Sequence, residues 1–223
     1  MPSRTSENYL KQLYFEEELQ KEGYVSMGRL AAAVRVAPGT ATAMVKSLSE
    51  AGLVRYAPRL GVRLTDLGKR TALKVLRRHR LVELFLVQIL GLDWAEVHAE
   101  AEEWEHVTSE KVLERMDALL GHPAVDPHGD PIPTVSGAVA PPSDMNLVNC
   151  PLRQKLVVTR VLDQEPKFLN FVRAAGLTPG AVLTVQNRSD EADALHVHPQ
   201  RGQNLTLSQA AGAKFLVQLW NEQ

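Results

Sequence analysis

The first 65 residues contain a fixed order of short periodic segments, and this order constrains the fold more than any other feature of the sequence. Apolar side chains recur with helical spacing in three short segments, residues 5–22, 27–34 and 40–51. Two segments that alternate in polarity, 53–56 and 62–65, then surround a turn at 58–61. Three helices followed by a hairpin predict a winged helix-turn-helix.

The pattern of apolar and polar residues changes twice in the rest of the chain. Helical periodicity continues through residues 66–90 and again through 94–120, whereas residues 121–150 are rich in Pro, Gly, Ser and Asp. Short strands and one helix near 167–175 are predicted after Pro151, which indicates a small all-β domain behind a mainly α N-terminal part. The predicted domains are a winged helix-turn-helix at 1–72, a helical domain at 73–140, a linker at 141–150 and the β domain at 151–223.

A net charge of −1 hides two segments of opposite charge. Residues 1–90 contain 15 Lys and Arg against 8 Asp and Glu, a net charge of +7, whereas residues 91–120 contain 2 against 9, a net charge of −7. The first segment suits a polyanion and the second suits cations. A single cysteine, Cys150, and the lack of a long apolar run lead us to expect a cytoplasmic protein with no membrane segment.

The third predicted helix has the composition of a recognition helix. Its inner face is apolar, and its outer face and entry are small, hydroxylated or basic, with Pro38, Gly39, Thr40, Thr42, Lys46 and Ser47. Arginines of the predicted wing, including Arg59, add attraction to phosphate. We therefore expect double-stranded DNA as the partner, against the alternative of a winged helix used only for protein contacts.

Histidines and carboxylates recur with helical spacing in the second segment. His79 and Glu83 lie four positions apart, so both side chains leave one face of a helix and can share an ion. His98, Glu102, Glu105 and His106 follow on the next predicted helix. Two alternatives stay open, a carboxylate-bridged metalloenzyme and a regulator that ignores metal. No nucleophile motif or phosphate-binding glycine loop supports the enzyme.

Several motifs resemble the diphtheria toxin repressor and manganese transport regulator family of metal-dependent repressors. They are Glu7-Asn8-Tyr9-Leu10, Arg78-His79-Arg80-Leu81, Val97-His98, Trp104-Glu105-His106-Val107 and His128-Gly129-Asp130-Pro131-Ile132-Pro133. This resemblance covers residues 5–133. Residues 151–223, with Leu177-Thr178-Pro179-Gly180, resemble the SH3-like or FeoA-like domain of the longer members.

The resemblance implies two metal positions. One would use His79, Glu83 and His98, with Glu165 from the C-terminal domain, and Gln164 stands near the place of a further family ligand. The other would use Glu102, Glu105 and His106, together with Asn8 where members have Met or Asp.

The family resemblance also implies which metal is bound. Iron-responsive members carry cysteine where this chain has Glu102, and carboxylates suit harder ions, so Mn(II) is expected, with Fe(II) as the alternative. The resemblance implies a homodimer that represses metal-homeostasis genes and is not an enzyme. We expect the apolar face of the long helix around Leu81, Leu84, Phe85 and Leu86 to form the dimer interface.

Overall fold

The computed structural model describes residues 3–20, 23–141 and 143–221, and these residues form two compact units. One unit contains the described residues up to His79 together with Glu105–Val107 and Pro133–Ala138. The other contains Arg80–Trp104, Thr108–Ile132 and the described residues from Val139 onward.

The first unit is a winged helix-turn-helix, as predicted. Its elements are α1 (Arg4–Gln20), α2 (Met27–Ala33), α3 (Pro38–Glu50), the antiparallel pair β1 (Val54–Ala57) and β2 (Gly61–Leu64), and the first part of α4 (Asp66–Gln88). Ser26 begins α2, where its hydroxyl accepts a hydrogen bond from the Arg29 amide, and Pro38 occupies the first turn of α3. The local start signals of the sequence therefore set the helix boundaries.

Apolar side chains from every helix of this unit meet in one core. Leu10, Leu13, Leu30, Val45 and Val62 are each at most 1% exposed. Burial of one such side chain stabilises a fold by roughly 1.5–3 kcal/mol. The apolar inner face predicted for α3 is thus buried.

In the second unit, the remainder of α4 is followed by α5 (Val97–Trp104) and α6 (Glu110–Leu119). The prediction of one helix over residues 94–120 is therefore wrong. The chain leaves the helical conformation after Trp104, and Ser109 starts a new helix by accepting a hydrogen bond from the Val112 amide. Thr108 and Ser109 favour caps and turns over helix interiors, which explains the break.

The face of α4 that we expected at a dimer interface is covered within the chain. Leu86 lies in a cluster with Val97 and Ala101 of α5, and Leu81 and Leu84 lie in a second cluster with Leu113 of α6. All three leucines are at most 4% exposed, so they cannot form the surface of a dimer. None of the described helices has the length and apolar character needed to cross a membrane.

The C-terminal residues form an antiparallel sheet of five described strands in the order β6-β5-β4-β3-β7. Its strands and helices are β3 (Lys155–Val161), α7 (Pro166–Ala174), β4 (Val182–Ser189), β5 (Ala194–Pro199), β6 (Leu205–Leu207), α8 (Gln209–Gly212) and β7 (Phe215–Leu219). Four of these strands and α7 were predicted within a few residues. The three-residue β6 and the single turn of α8 are too short to show a period.

The second half of the predicted linker belongs to this sheet domain. Leu147 is fully buried and Cys150 is 3% exposed in the same core as Phe215. Asn146 pairs with Leu216, and its side-chain carbonyl accepts a hydrogen bond from the Val148 amide, which forms a turn. The chain is therefore anchored from about residue 146, because a polar composition does not exclude a single buried leucine.

Gly61 allows a close backbone contact that holds the wing against the segment before α2. Its φ is +130°, and a Cβ there would lie 2.1 Å from the Val25 carbonyl oxygen. We expect Gly61→Ala to destabilise the protein by roughly 1–3 kcal/mol, because the side chain forces a strained conformation. Urea unfolding followed by circular dichroism would measure this. Gly28→Ala is the control, since that helical position has open space; equal stability of Gly61→Ala and wild type would contradict the prediction.

Candidate functional site

The exposed face of α3 is the one predicted to meet DNA. Pro38, Gly39, Thr40, Lys46 and Ser47 are exposed, whereas Ala41, Val45 and Leu48 are buried. Thr42 is half-buried, and its hydroxyl donates to the Pro38 carbonyl at 2.8 Å, so this side chain closes the first turn of the helix. The geometry places short polar side chains and one lysine on a single accessible face.

The wing carries exposed arginines in a strained arrangement. Arg55 of β1 pairs directly with Arg63 of β2, and Arg59 at the tip has a positive φ of 70°. Like charges opposite each other on a hairpin destabilise it until a counterion is present. This hairpin is therefore suited to an anionic partner such as a phosphate backbone.

Glu83 and His98 meet in the second unit. His98 Nδ1 lies 3.1 Å from Glu83 Oε1, and His98 Nε2 lies 3.6 Å from Glu102 Oε1, one turn along α5. Glu83 is 1% exposed, whereas about half of the His98 side chain is exposed. His79 stands one turn before Glu83 on α4, as its spacing predicts.

Asp126 and His128 bring two further ligand atoms to Glu83. One atom from each of these three buried residues lies within 4.8 Å of the others. The His128 ring stacks on Trp94, and its Nε2 lies 2.8 Å from the Trp94 carbonyl oxygen, which can only accept. Nε2 must therefore carry the proton. Nδ1 is left as a buried lone pair without a hydrogen-bond partner among the described residues.

The charge around Asp126 favours a cation. Burial, and then the charges of Asp130 and Glu83, raise the pKa of Asp126 well above its usual range, and only Arg80 among nearby charges opposes them. Asp130 is already paired with Arg80 and with Arg160. Two buried carboxylates that repel each other and an imidazole nitrogen without a hydrogen-bond partner form a donor set that suits a divalent metal ion, so these residues fit one.

Glu105 stands in a different environment in the first unit. It is fully buried, and both of its carboxylate oxygens accept from the Lys11 ammonium at 2.7 and 2.9 Å. His79 Nδ1 lies 2.6 Å from Glu105 Oε2. Burial raises the pKa of Glu105, but the hydrogen bond and charge of His79, together with Lys11, outweigh it, so the pKa is lowered overall.

The second predicted ligand set is not a cation site in this arrangement. His106 Nδ1 lies 2.7 Å from Glu7, which also pairs with Arg78 at 3.4 Å. The Asn8 side-chain oxygen is buried without a partner among the described residues, but it is a neutral acceptor that brings no charge. Glu105 already holds an ammonium, so this set does not fit a divalent ion as it stands.

Glu165 does not join Glu83, Asp126 and His128 in the described part of the chain. It is exposed at the start of α7, where its backbone carbonyl accepts from the Leu169 amide. Gln164 donates instead to Asp130 Oδ2 at 2.7 Å and so belongs to the buried polar network.

Sequence reasoning missed Asp126 and His128 as ligands because it assigned their loop to irregular turns. One signal was present: the segment Asp126–Asp130 contains two carboxylates and a histidine at every second position. No helical or strand period marks such a loop, so only the fold shows that Asp126 and His128 lie beside Glu83.

Removal of the Asp126 charge tests whether burial and nearby carboxylates raise the pKa of Asp126. The folded pKa of Asp126 lies above that of the unfolded chain, so its contribution to stability is fully present at acidic pH and is lost as pH rises through the folded pKa. We expect chelator-treated Asp126→Asn to be more stable than wild type at pH 7, with the difference shrinking toward pH 4. Thermal unfolding across pH measures this. The exposed Asp144→Asn is the control, and parallel pH profiles for wild type and Asp126→Asn would refute the prediction.

Three family models together match most of the chain. Residues 1–62 match the N-terminal DNA-binding domain of the iron-dependent repressors, residues 65–134 match their metal-binding and dimerisation domain, and residues 145–219 match the FeoA domain.

Full-length relatives and solved structures agree with these models. The iron-dependent repressor IdeR of Mycobacterium tuberculosis is 36% identical over 195 residues, 82% of this chain and 84% of the relative. The diphtheria toxin repressor of Corynebacterium glutamicum is 35% identical over 203 residues, 86% of this chain and 88% of the relative. A manganese-dependent transcriptional repressor in complex with manganese has a TM-score of 0.83 at 36% identity, covering 96% of this chain and 100% of its own. ScaR with bound Zn²⁺ has a TM-score of 0.76 at 30% identity, covering 98% and 100%.

Proposed function

The chain belongs to the iron-dependent repressor family of metal-dependent, DNA-binding transcription regulators, and from this premise we propose that it is a repressor activated by Mn(II). The members of this family that it resembles are repressors and not enzymes, so the metalloenzyme alternative falls away.

One observation carries the proposal. Glu83, Asp126 and His128 are buried together, the charge of Glu83 raises the pKa of Asp126, and His128 Nδ1 has no hydrogen-bond partner among the described residues. His98 contacts Glu83 from α5. We propose that these four residues hold the ion. His79 and Glu165 remain predicted ligands from the sequence.

The donor atoms favour manganese. Carboxylate oxygens and imidazole nitrogens suit Mn(II), whereas a softer site would need thiolate. The only cysteine of the sequence, Cys150, is buried in the core of the C-terminal sheet, where its thiol donates to the Leu147 carbonyl. Fe(II) is the second candidate, because relatives named as iron-dependent match as well as those named as manganese-dependent.

The residues of the chain can convert ion binding into a firmer contact between the loop Asp126–Asp130 and α4. When bound, the ion would neutralise the carboxylates of Glu83 and Asp126. Asp126 already accepts from the His128 and Asp130 amides at 2.8 and 2.9 Å, so its loop has a fixed geometry, and Glu83 projects from α4. Relief of their repulsion would hold this loop against α4, the helix that follows directly after the wing in the chain. We propose that this shifts the protein toward the form that binds DNA.

The proposed partners are a double-stranded DNA operator and a second copy of the chain. DNA would contact the exposed face of α3 and the wing, where Arg55 and Arg63 lie opposite each other as like charges. A symmetric operator requires a two-fold protein. Exposed apolar side chains at the end of α4 and on α6, Ile89, Leu90, Val112 and Leu119, are the proposed dimer surface in place of the buried leucines. The cytoplasmic location stays a prediction.

The metal switch is tested by Glu83→Gln, which keeps the shape of the side chain and removes its charge. We expect Mn(II) to strengthen operator binding of wild type by roughly 5- to 150-fold, the usual range of coupling, and to leave Glu83→Gln unaffected. Fluorescence anisotropy with a labelled promoter fragment, with chelator, Mn(II) or Fe(II) at fixed salt, measures both. Glu100→Gln on α5 is exposed and serves as the control. A normal metal response of Glu83→Gln would refute the proposed metal site. A larger response of wild type to Fe(II) than to Mn(II) would identify Fe(II) as the activating ion.

The DNA face is tested by Lys46→Ala. An exposed lysine on α3 that contacts phosphate contributes affinity without sequence preference. We expect weaker binding to operator and random DNA alike, and a salt dependence of log affinity that is shallower by about one unit. Anisotropy titrations at several salt concentrations measure the slope. Lys111→Ala on α6 is the control, and an unchanged slope for Lys46→Ala would place DNA elsewhere.

A further inference from the structure

Lys11 is a buried lysine that has no part in the proposed function. It lies on α1, is 3% exposed, and donates to both oxygens of Glu105. A lysine is rarely buried to this degree unless a carboxylate compensates it. The chain therefore places a positively charged side chain beside Glu105, the carboxylate that the family resemblance assigns to a second metal position.

Glu105 has no oxygen left without a donor or cation beside it. Lys11 reaches both oxygens, and His79 Nδ1 lies 2.6 Å from Oε2. A divalent ion that approached either oxygen would meet the ammonium at contact distance and be repelled by it. The ion could bind only after Lys11 had left.

The formal charges of this cluster balance without a metal. Glu7 and Glu105 are matched by Lys11 and Arg78, and the two histidines add donors. The Asn8 oxygen and His106 Nε2 have no hydrogen-bond partner among the described residues, but the Glu105 carboxylate that would share an ion with them already holds the Lys11 ammonium.

We infer that the Lys11 ammonium takes the place of a metal ion at Glu105, so that this chain ties α1 to the segment Glu105–Val107 without metal. The inference rests on the proposed function only in that the responsive ion binds at other residues, around Glu83.

The test counts bound ions. Wild type, Lys11→Met, Glu105→Gln and the double variant Lys11→Met/Glu105→Gln are dialysed against saturating Mn(II), and bound metal per chain is measured by elemental analysis. We expect Glu105→Gln to bind as many ions as wild type, Lys11→Met to bind one more, and the double variant to lose that extra ion. Lys74→Met, an exposed lysine on α4, is the matched control.

Two results would overturn the inference: loss of an ion in Glu105→Gln, or an unchanged count in a folded Lys11→Met protein. If Lys11→Met does not fold, the comparison of Glu105→Gln with wild type decides alone, with an equal count in support. The two proposals fail separately. A wild-type protein that binds no Mn(II) would refute the metal switch, whereas a gain of one ion in Lys11→Met would still support the role of Lys11.

Discussion

Carboxylates that are taken out of water need a positive partner, and this requirement organises both units of the protein. Glu83, Glu105, Asp126 and Asp130 are at most 4% exposed. Each buried ion without compensation costs several kcal/mol, a large part of the stability of a domain. The fold can keep these groups only where lysine, arginine, histidine, backbone amides or a bound cation stand beside them.

The buried carboxylates have different positive partners, and these differences distinguish structural carboxylates from those proposed to bind an ion. Asp130 receives Arg80, Arg160 and Gln164, so its compensation is complete within the chain. Glu105 receives Lys11 and His79. Asp126 receives two backbone amides and an ion pair with Arg80 at 3.8 Å, yet burial and the charges of Asp130 and Glu83 still raise its pKa. The carboxylate with this raised pKa is the one that is suited to respond to an ion.

The sequence predicted most of the fold because local signals set it. The capping serine before α2, the proline that starts α3 and the alternation in β3 to β5 each act over a few residues. The break after Trp104 escaped prediction because the apolar period runs on through it, while Thr108 and Ser109 end the helix. The burial of Leu147 also escaped, because one apolar residue in a polar stretch carries no period.

The candidate site was predicted less completely, for a related reason. Helical spacing indicated His79 and Glu83, which lie four positions apart on one helix, and His98 on the next helix. It could not find Asp126 and His128, whose loop reaches Glu83 only through the tertiary fold. Nor could it find Lys11, 94 residues from its partner Glu105. Long-range pairing of charges is decided by burial, which spacing along the chain does not reveal.

The wing follows the same electrostatic rule with the opposite sign. Arg55 and Arg63 face each other across the hairpin as like charges, and their repulsion is relieved by an anion. Glu83 and Asp126 repel each other in the interior, and a bound cation would relieve their repulsion. In both places like charges lie close together, and the proposed partner would supply the opposite sign. Where the chain balances its own charge, as Lys11 does for Glu105, no ligand is required, and the same residue types become part of the structure.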